Sequence, residues 1–124
     1  RRTPLQVAAE LRHADIVAHL LSKQADVHAP PAPCKGLTAL QAAAKGGFYL
    51  IAERLIEQSA DINAPAARIH GRTAFEAATE FGRLDVMILL VRNGADLMNS
   101  DGQRQFDRAV KFAEAEGNDP AVKL

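Results

Sequence analysis

The sequence predicts an all-α domain built as a stack of helix-turn-helix units, and three observations predict it. The first is self-similarity. Thr3, Thr38 and Thr73 lie 35 residues apart and open three similar runs. These are Thr3-Pro4-Leu5-Gln6-Val7-Ala8-Ala9, Thr38-Ala39-Leu40-Gln41-Ala42-Ala43-Ala44 and Thr73-Ala74-Phe75-Glu76-Ala77-Ala78-Thr79. The second is composition. Of 124 residues 24 are Ala, only 5% are aromatic and Trp is absent, which suits closely packed helices better than strands rich in β-branched and aromatic side chains. The third is periodicity: Ile16-Val17 with Leu20-Leu21, Ile51-Ala52 with Leu55-Ile56, and Val86 with Leu89-Leu90 each mark one apolar helix face.

Each unit then reads in the same order. Thr is a good N-cap, and Pro4 is preorganised for a first helical position, so a short inner helix follows each Thr. Paired Ala residues let a second helix approach closely. Gly46-Gly47 and Gly82 supply the positive-φ stop, after which the second amphipathic helix begins. Ala25-Asp26-Val27, Ala60-Asp61-Ile62 and Ala95-Asp96-Leu97 recur at the same 35-residue interval and mark the turn that closes each unit. Gly36, Gly71 and Gly102 precede successive units, the first two connections being longer than the third. A single hairpin cannot cover its own apolar face, so neighbouring units must stack into one continuous core.

The units are expected at about 1–35, 36–70 and 71–101, in a single domain spanning 1–124. Residues 102–124 read as a truncated capping unit: Arg104 to Glu116 places Phe106, Ala109, Val110 and Ala113 on one side of a helix that Gly117 stops. At the other end nothing in the sequence covers Leu5 and Leu20. Either a further repeat precedes Arg1 or this edge pairs with something else, including a second copy in weak self-association.

These residues resemble the ankyrin repeat, with its T-P-L-H-x-A signature and period near 33 residues. The likeness extends through the second-helix apolar pairs to Gly94-Ala95-Asp96 and Ala60-Asp61-Ile62-Asn63-Ala64. The 35-residue period with Pro30-Pro31-Ala32-Pro33 is also similar to ankyrin arrays of fungal proteins, often attached to signalling NTPases. The resemblance implies a solenoid of stacked hairpins with β-turn or hairpin fingers. Two departures carry expectations. The family's His after T-P-L is replaced by Gln6, Gln41 and Glu76; Gln can still bridge backbone groups, whereas Glu needs a donor. The Gly ending each second helix survives only as Gly94, so Gln24 and Ser59 must take a left-handed conformation at about 1 kcal/mol each, leaving the first two units less stable than consensus.

Catalytic signatures are missing. The chain has no G-x-S-x-G, G-x-x-x-x-G-K-[ST], H-E-x-x-H or G-x-G-x-x-G, so it is expected not to be an enzyme and to need no cofactor. Asp26, Asp61 and Asp96 keep one-per-repeat spacing and are read as satisfying backbone donors in their own turns. His13, His19, His28 and His70 have no metal-ligand spacing and are read as solvated or locally hydrogen-bonded. Cys34 beside Lys35 could form a reactive thiolate, but an ordinary exposed thiol is favoured. A lone Cys and the lack of a long apolar run point to an intracellular, cytoplasmic protein that does not enter a membrane. Nucleic-acid binding is not expected either. Fifteen basic residues balance 15 acidic ones, and the units run only from 5 Lys+Arg against 3 Asp+Glu in the first to 3 against 5 in the third.

What remains is a protein–protein interaction module within a larger scaffold or signalling protein, or alternatively a structural spacer or self-association module. The resemblance implies that inner helices and fingers face a concave, partner-binding side. Its exposed variable positions fall on Arg2, Glu10 and Leu11, then on Cys34, Lys35, Leu37, Lys45 and Gly46, and in the third unit on Ile69, His70, Arg72, Glu80 and Phe81. Leu11, Leu37, Ile69 and Phe81 would form an apolar strip rimmed by Arg72, Glu80 and Lys45. The fingers at Pro30-Pro31-Ala32-Pro33 and Ala64-Pro65-Ala66-Ala67 are stiffened by proline, as a binding device or as a spacer suited to this stacking. Asn63 resembles the ankyrin asparagine that some hosts hydroxylate, although a hydrogen-bonding role in its finger is the default.

Overall fold

A computed structural model describes residues 3–32, 36–68 and 71–95. Within them the chain forms six helices in three hairpins: α1 (Pro4–Glu10) with α2 (Ala14–Ser22), α3 (Ala39–Gly46) with α4 (Tyr49–Glu57), and α5 (Ala74–Glu80) with α6 (Leu84–Arg92). The expected terminal unit at 102–124 lies outside the described residues.

Both ends of these helices follow from local chemistry. Thr3, Thr38 and Thr73 are the N-caps of the inner helices α1, α3 and α5, each in extended conformation, and each closes a full capping box with the residue three positions on. The Thr38 hydroxyl accepts from Gln41 N at 3.1 Å while Gln41 Oε1 accepts from Thr38 N at 2.9 Å. At the C-termini one left-handed residue ends every helix, in the order Arg12, Gln24, Gly47, Ser59, Gly82 and Gly94. The following amide reaches back five residues, as His13 N does to Ala8 O at 2.9 Å and Ala60 N to Leu55 O at 3.0 Å. Gln24 and Ser59 adopt the positive φ expected of them, at 65° and 70°. Arg12 does so too, at 63°, and takes in the first unit the place that Gly47 and Gly82 hold in the others. The stop in the second unit is Gly47 alone, since Gly46 is still helical.

Inner helices pack on inner helices and outer on outer, giving two layers, α1–α3–α5 and α2–α4–α6. Ala8, Ala9, Ala43, Ala44 and Ala78 are buried where the layers meet, and their small side chains allow the close approach. Leu5, Leu40, Leu55, Met87 and Leu90 fill the remaining volume. Leu5, expected to lie uncovered, is fully buried in the core cluster, while Leu20 is half-buried against it. Fingers join the hairpins. Asp26 Oδ1 accepts from His28 N at 2.8 Å and Asp61 Oδ1 from Asn63 N at 2.9 Å, the turn role expected of these aspartates. Each finger doubles back so tightly that a Cβ on Gly36 would overlap the backbone of Ala32, and one on Gly71 that of Ala67.

Candidate protein-recognition surface

Position 3 of the first two inner helices ties the finger to the stack. Gln41 is buried, and beyond its capping role its Nε2 donates to the carbonyls of Ala64 and Pro65, both at 3.1 Å. Gln6 repeats this on Ala29 and Pro30 at 3.1 and 3.0 Å. Gln therefore bridges the finger backbone as expected. Glu76 keeps the capping box, accepting from Thr73 N at 3.0 Å, but a carboxylate has no proton to donate onward. Asn63 provides a different link, donating from Nδ2 to Gly94 O at 3.1 Å.

With the fingers held, the C-terminal ends of α1, α3 and α5 form a line of exposed side chains. Leu11 and Phe81 occupy equivalent positions in the first and third units and are 56% and 44% exposed, among the few large apolar side chains so placed. Gly46 lies between them in the repeat order, and a Cβ there would strike the Phe48 ring. Glu10, Lys45 and Glu80 form the adjacent exposed column, of alternating charge. Lys45 Nζ stands 5.5 Å from the centre of the Phe81 ring. Arg72 Nε donates to Glu80 Oε1 at 3.0 Å and its Nη1 donates to Gly71 O at 2.9 Å. The structure thus brings Lys45, Phe81, Glu80 and Arg72 together around the third unit. Leu37 is half-buried and packs against the core, so it contributes less surface than its position in the repeat suggests. Arg2, Cys34, Lys35, Ile69 and His70 lie outside the described residues.

The profile of the ankyrin-repeat family matches residues 5–101 in three copies. The chain belongs to the ankyrin-repeat family. No curated protein matches it. Ankyrin repeats are in general protein–protein interaction modules without enzymatic activity. In this ankyrin array no group of three or more His, Cys, Asp or Glu side chains among the described residues could hold a metal, and no helix there is long and apolar enough to cross a membrane.

Three contacts escaped the sequence reading. Arg12 lays its guanidinium 5.6 Å from the centre of the Phe48 ring, and Arg83 Nε donates to Lys45 O at 3.0 Å while its aliphatic stem lies where a Gly47 side chain would be. These residues fasten the turns of successive ankyrin hairpins. The available signal was Phe48 and Arg83 following directly on the glycines that end the inner helices. Two cavities accompany the turns and fingers. One of about 310 Å³ is lined by Arg12, Phe48, Tyr49 and Leu50, and one of about 170 Å³ lies between the first two fingers, against Pro30, Pro31, Leu40 and Pro65.

Proposed function

We propose that this ankyrin segment is a non-enzymatic recognition module that binds a protein partner across the exposed ends of its inner helices, as part of a larger cytoplasmic scaffold or signalling protein. The units are 1–35, 36–70 and 71–101, with 102–124 as the terminal cap. The observation that carries this reading is Phe81: a large aromatic side chain, nearly half exposed, flanked by Lys45, Glu80 and Arg72 at a position where burial would be the default for its type. An aromatic anchor within a charged rim is the arrangement in which a few residues dominate binding energy. Leu11 extends the strip toward the first unit, and Glu10, Arg2, Lys35, Ile69 and His70 complete it by position in the repeat.

Affinity capture tests this. The segment is compared with a variant carrying Leu11→Glu, Arg72→Glu and Phe81→Glu, after circular dichroism shows that both fold alike. A protein retained by the parent and lost by the variant is the expected result. Equal retention overturns the assignment of this surface, and the structural-spacer reading becomes the better account.

A further inference from the structure

The outer helices begin alike except at one position. Asp15 and Asp85 stand in the first turns of α2 and α6, where a carboxylate suits the exposed amides of a helix start, and Asp85 Oδ1 accepts from Val86 N at 2.8 Å. The equivalent residue of α4, 35 positions from each, is Leu50, and the first turn of α4 holds no acidic side chain. Leu50 is 73% exposed, more than any other large apolar side chain among the described residues. It belongs to the second hairpin, which has a neighbour on both sides, so its exposure does not come from a missing repeat. The turn junctions differ too. Between the second and third turns the Arg83 stem fills the space over Gly47, and its Nε donates to Lys45 O at 3.0 Å. Between the first and second the places are exchanged: Arg12 stands where Gly47 does, Phe48 stands where Arg83 does, and the guanidinium lies 5.6 Å from the ring centre. Here the cavity of about 310 Å³ opens, lined by Arg12 and Ala14 from the first hairpin and by Gly47, Phe48, Tyr49 and Leu50 from the second. Its described walls carry one charged group, the Arg12 guanidinium, and no carboxylate.

We propose that this cleft at the turn edge is a docking site for an acidic-aliphatic peptide segment of a partner protein. An aliphatic side chain enters the cavity against Phe48 and Leu50, and the carboxylate of a neighbouring Asp or Glu meets the Arg12 guanidinium. Charge complementarity selects this occupant. A guanidinium pairs with a carboxylate through strong, charge-assisted hydrogen bonds, and apolar walls that exclude water strengthen the pair. A basic segment would set like charges together, and a purely apolar one would cover Arg12 without pairing it. Leu50 serves both halves of the ligand. It supplies apolar surface, and it leaves the start of α4 without the negative charge that Asp15 and Asp85 place on the other two outer helices, which would repel an incoming carboxylate. None of the lining residues belongs to the strip around Phe81, so this site does not depend on that strip binding a partner.

The test is an NMR titration of backbone amides in the full 124-residue chain, with the peptide acetyl-Gly-Asp-Leu-Asp-Gly-amide as probe. The expected result is a saturable shift of the Phe48, Tyr49 and Leu50 amides that weakens as salt is raised. Leu50→Asp and Arg12→Gly should each weaken binding by at least about tenfold. Both substitutions suit the fold: Asp is what the other two outer helices carry at this place, and glycine is at ease at the φ of 63° that Arg12 adopts. Urea unfolding of each variant checks this first. Probes with Lys in place of both Asp residues, or with Ser in place of Leu, should not saturate. A parent that does not bind the acidic probe overturns the proposal, as does equal binding by Leu50→Asp or equal binding of the Lys or Ser probe. So does a parent that dimerises, or that sediments with phosphatidylserine vesicles, in a manner Leu50→Asp abolishes, because the cleft then belongs to a second copy or to a membrane.

Discussion

Replacing Gln41 by Glu alters almost nothing in shape and reverses the hydrogen-bonding character of one buried atom. In the native protein Gln41 Oε1 accepts from Thr38 N at 2.9 Å and Nε2 donates to Ala64 O and Pro65 O, each at 3.1 Å. A carboxylate keeps the first bond, as Glu76 does with Thr73 N, and loses both of the others. It also sets a negative oxygen against two carbonyl oxygens. Each buried acceptor left without its donor costs about 1–3 kcal/mol, and since the finger is only part-buried the lower half of that range applies, giving a loss of about 2–4 kcal/mol at pH 7. That is a large share of the roughly 5–15 kcal/mol by which domains are held folded. Urea unfolding followed by circular dichroism reads the global loss, and hydrogen exchange of the Ala64 amide, which donates to Asp61 O at 3.2 Å, reads the finger itself. The pH dependence has a definite sign. Burial against carbonyls raises the folded-state pKa of the introduced Glu, so the protonated acid, which can donate one bond, fits better than the anion. The deficit is therefore smallest below the ordinary glutamate value of about 4.3 and grows as pH rises through the folded-state value. A loss under about 1 kcal/mol at pH 7, or a deficit that grows on acidification, would refute the bridging role.

The left-handed residues make a graded series. Ser59→Gly and Gln24→Gly should each raise stability by about 1 kcal/mol in urea unfolding, by relieving the positive φ. Arg12→Gly should be nearly neutral in the same assay, since a similar relief is offset by losing the cation over Phe48, worth about 0.5–1 kcal/mol at an exposed site. Gly71→Ala should destabilise by about 3 kcal/mol, because the new methyl group has to displace the backbone of Ala67 and not a flexible side chain. Thr38→Ala removes the hydroxyl that caps α3 from a buried position and should cost about 1–2 kcal/mol, with faster exchange at the Gln41 amide.

The parts of this fold that could be read from the sequence are those decided within a few residues. Thr3, Thr38 and Thr73 start helices because an N-cap depends on one hydroxyl and the amide three positions on, and both are visible in the chain. Gln24 and Ser59 can be assigned left-handed conformations because Gly94 stands at the equivalent place, and Gly47 and Gly82 carry the same signal for Arg12. The surface was less legible because exposure belongs to neighbours and not to residues. Leu37 shares a column with Arg72 yet packs against the core, and Leu5, in the first hairpin, is fully buried. Contacts between turns, such as Arg12 on Phe48, link residues 36 apart in the chain and depend on Gly46 leaving room for the ring.

The departure from the ankyrin His has the clearest structural consequence. Because one Gln side chain both closes the capping box and holds the finger, helix start and finger position are a single hydrogen-bonded unit in the first two repeats. In the third, Glu76 leaves the box intact and cannot make the onward link, while the Asn63 bond to Gly94 joins the second finger to the end of α6. The surface around Phe81 is thus steadied from the repeat before it, through Asn63 at the finger and Arg83 and Lys45 at the turn. If a partner anchors on Phe81 as proposed, it pulls on the second repeat as well as the third, and Asn63→Ala or Arg83→Ala, which break the finger and turn links without altering a residue of the strip, should weaken its binding.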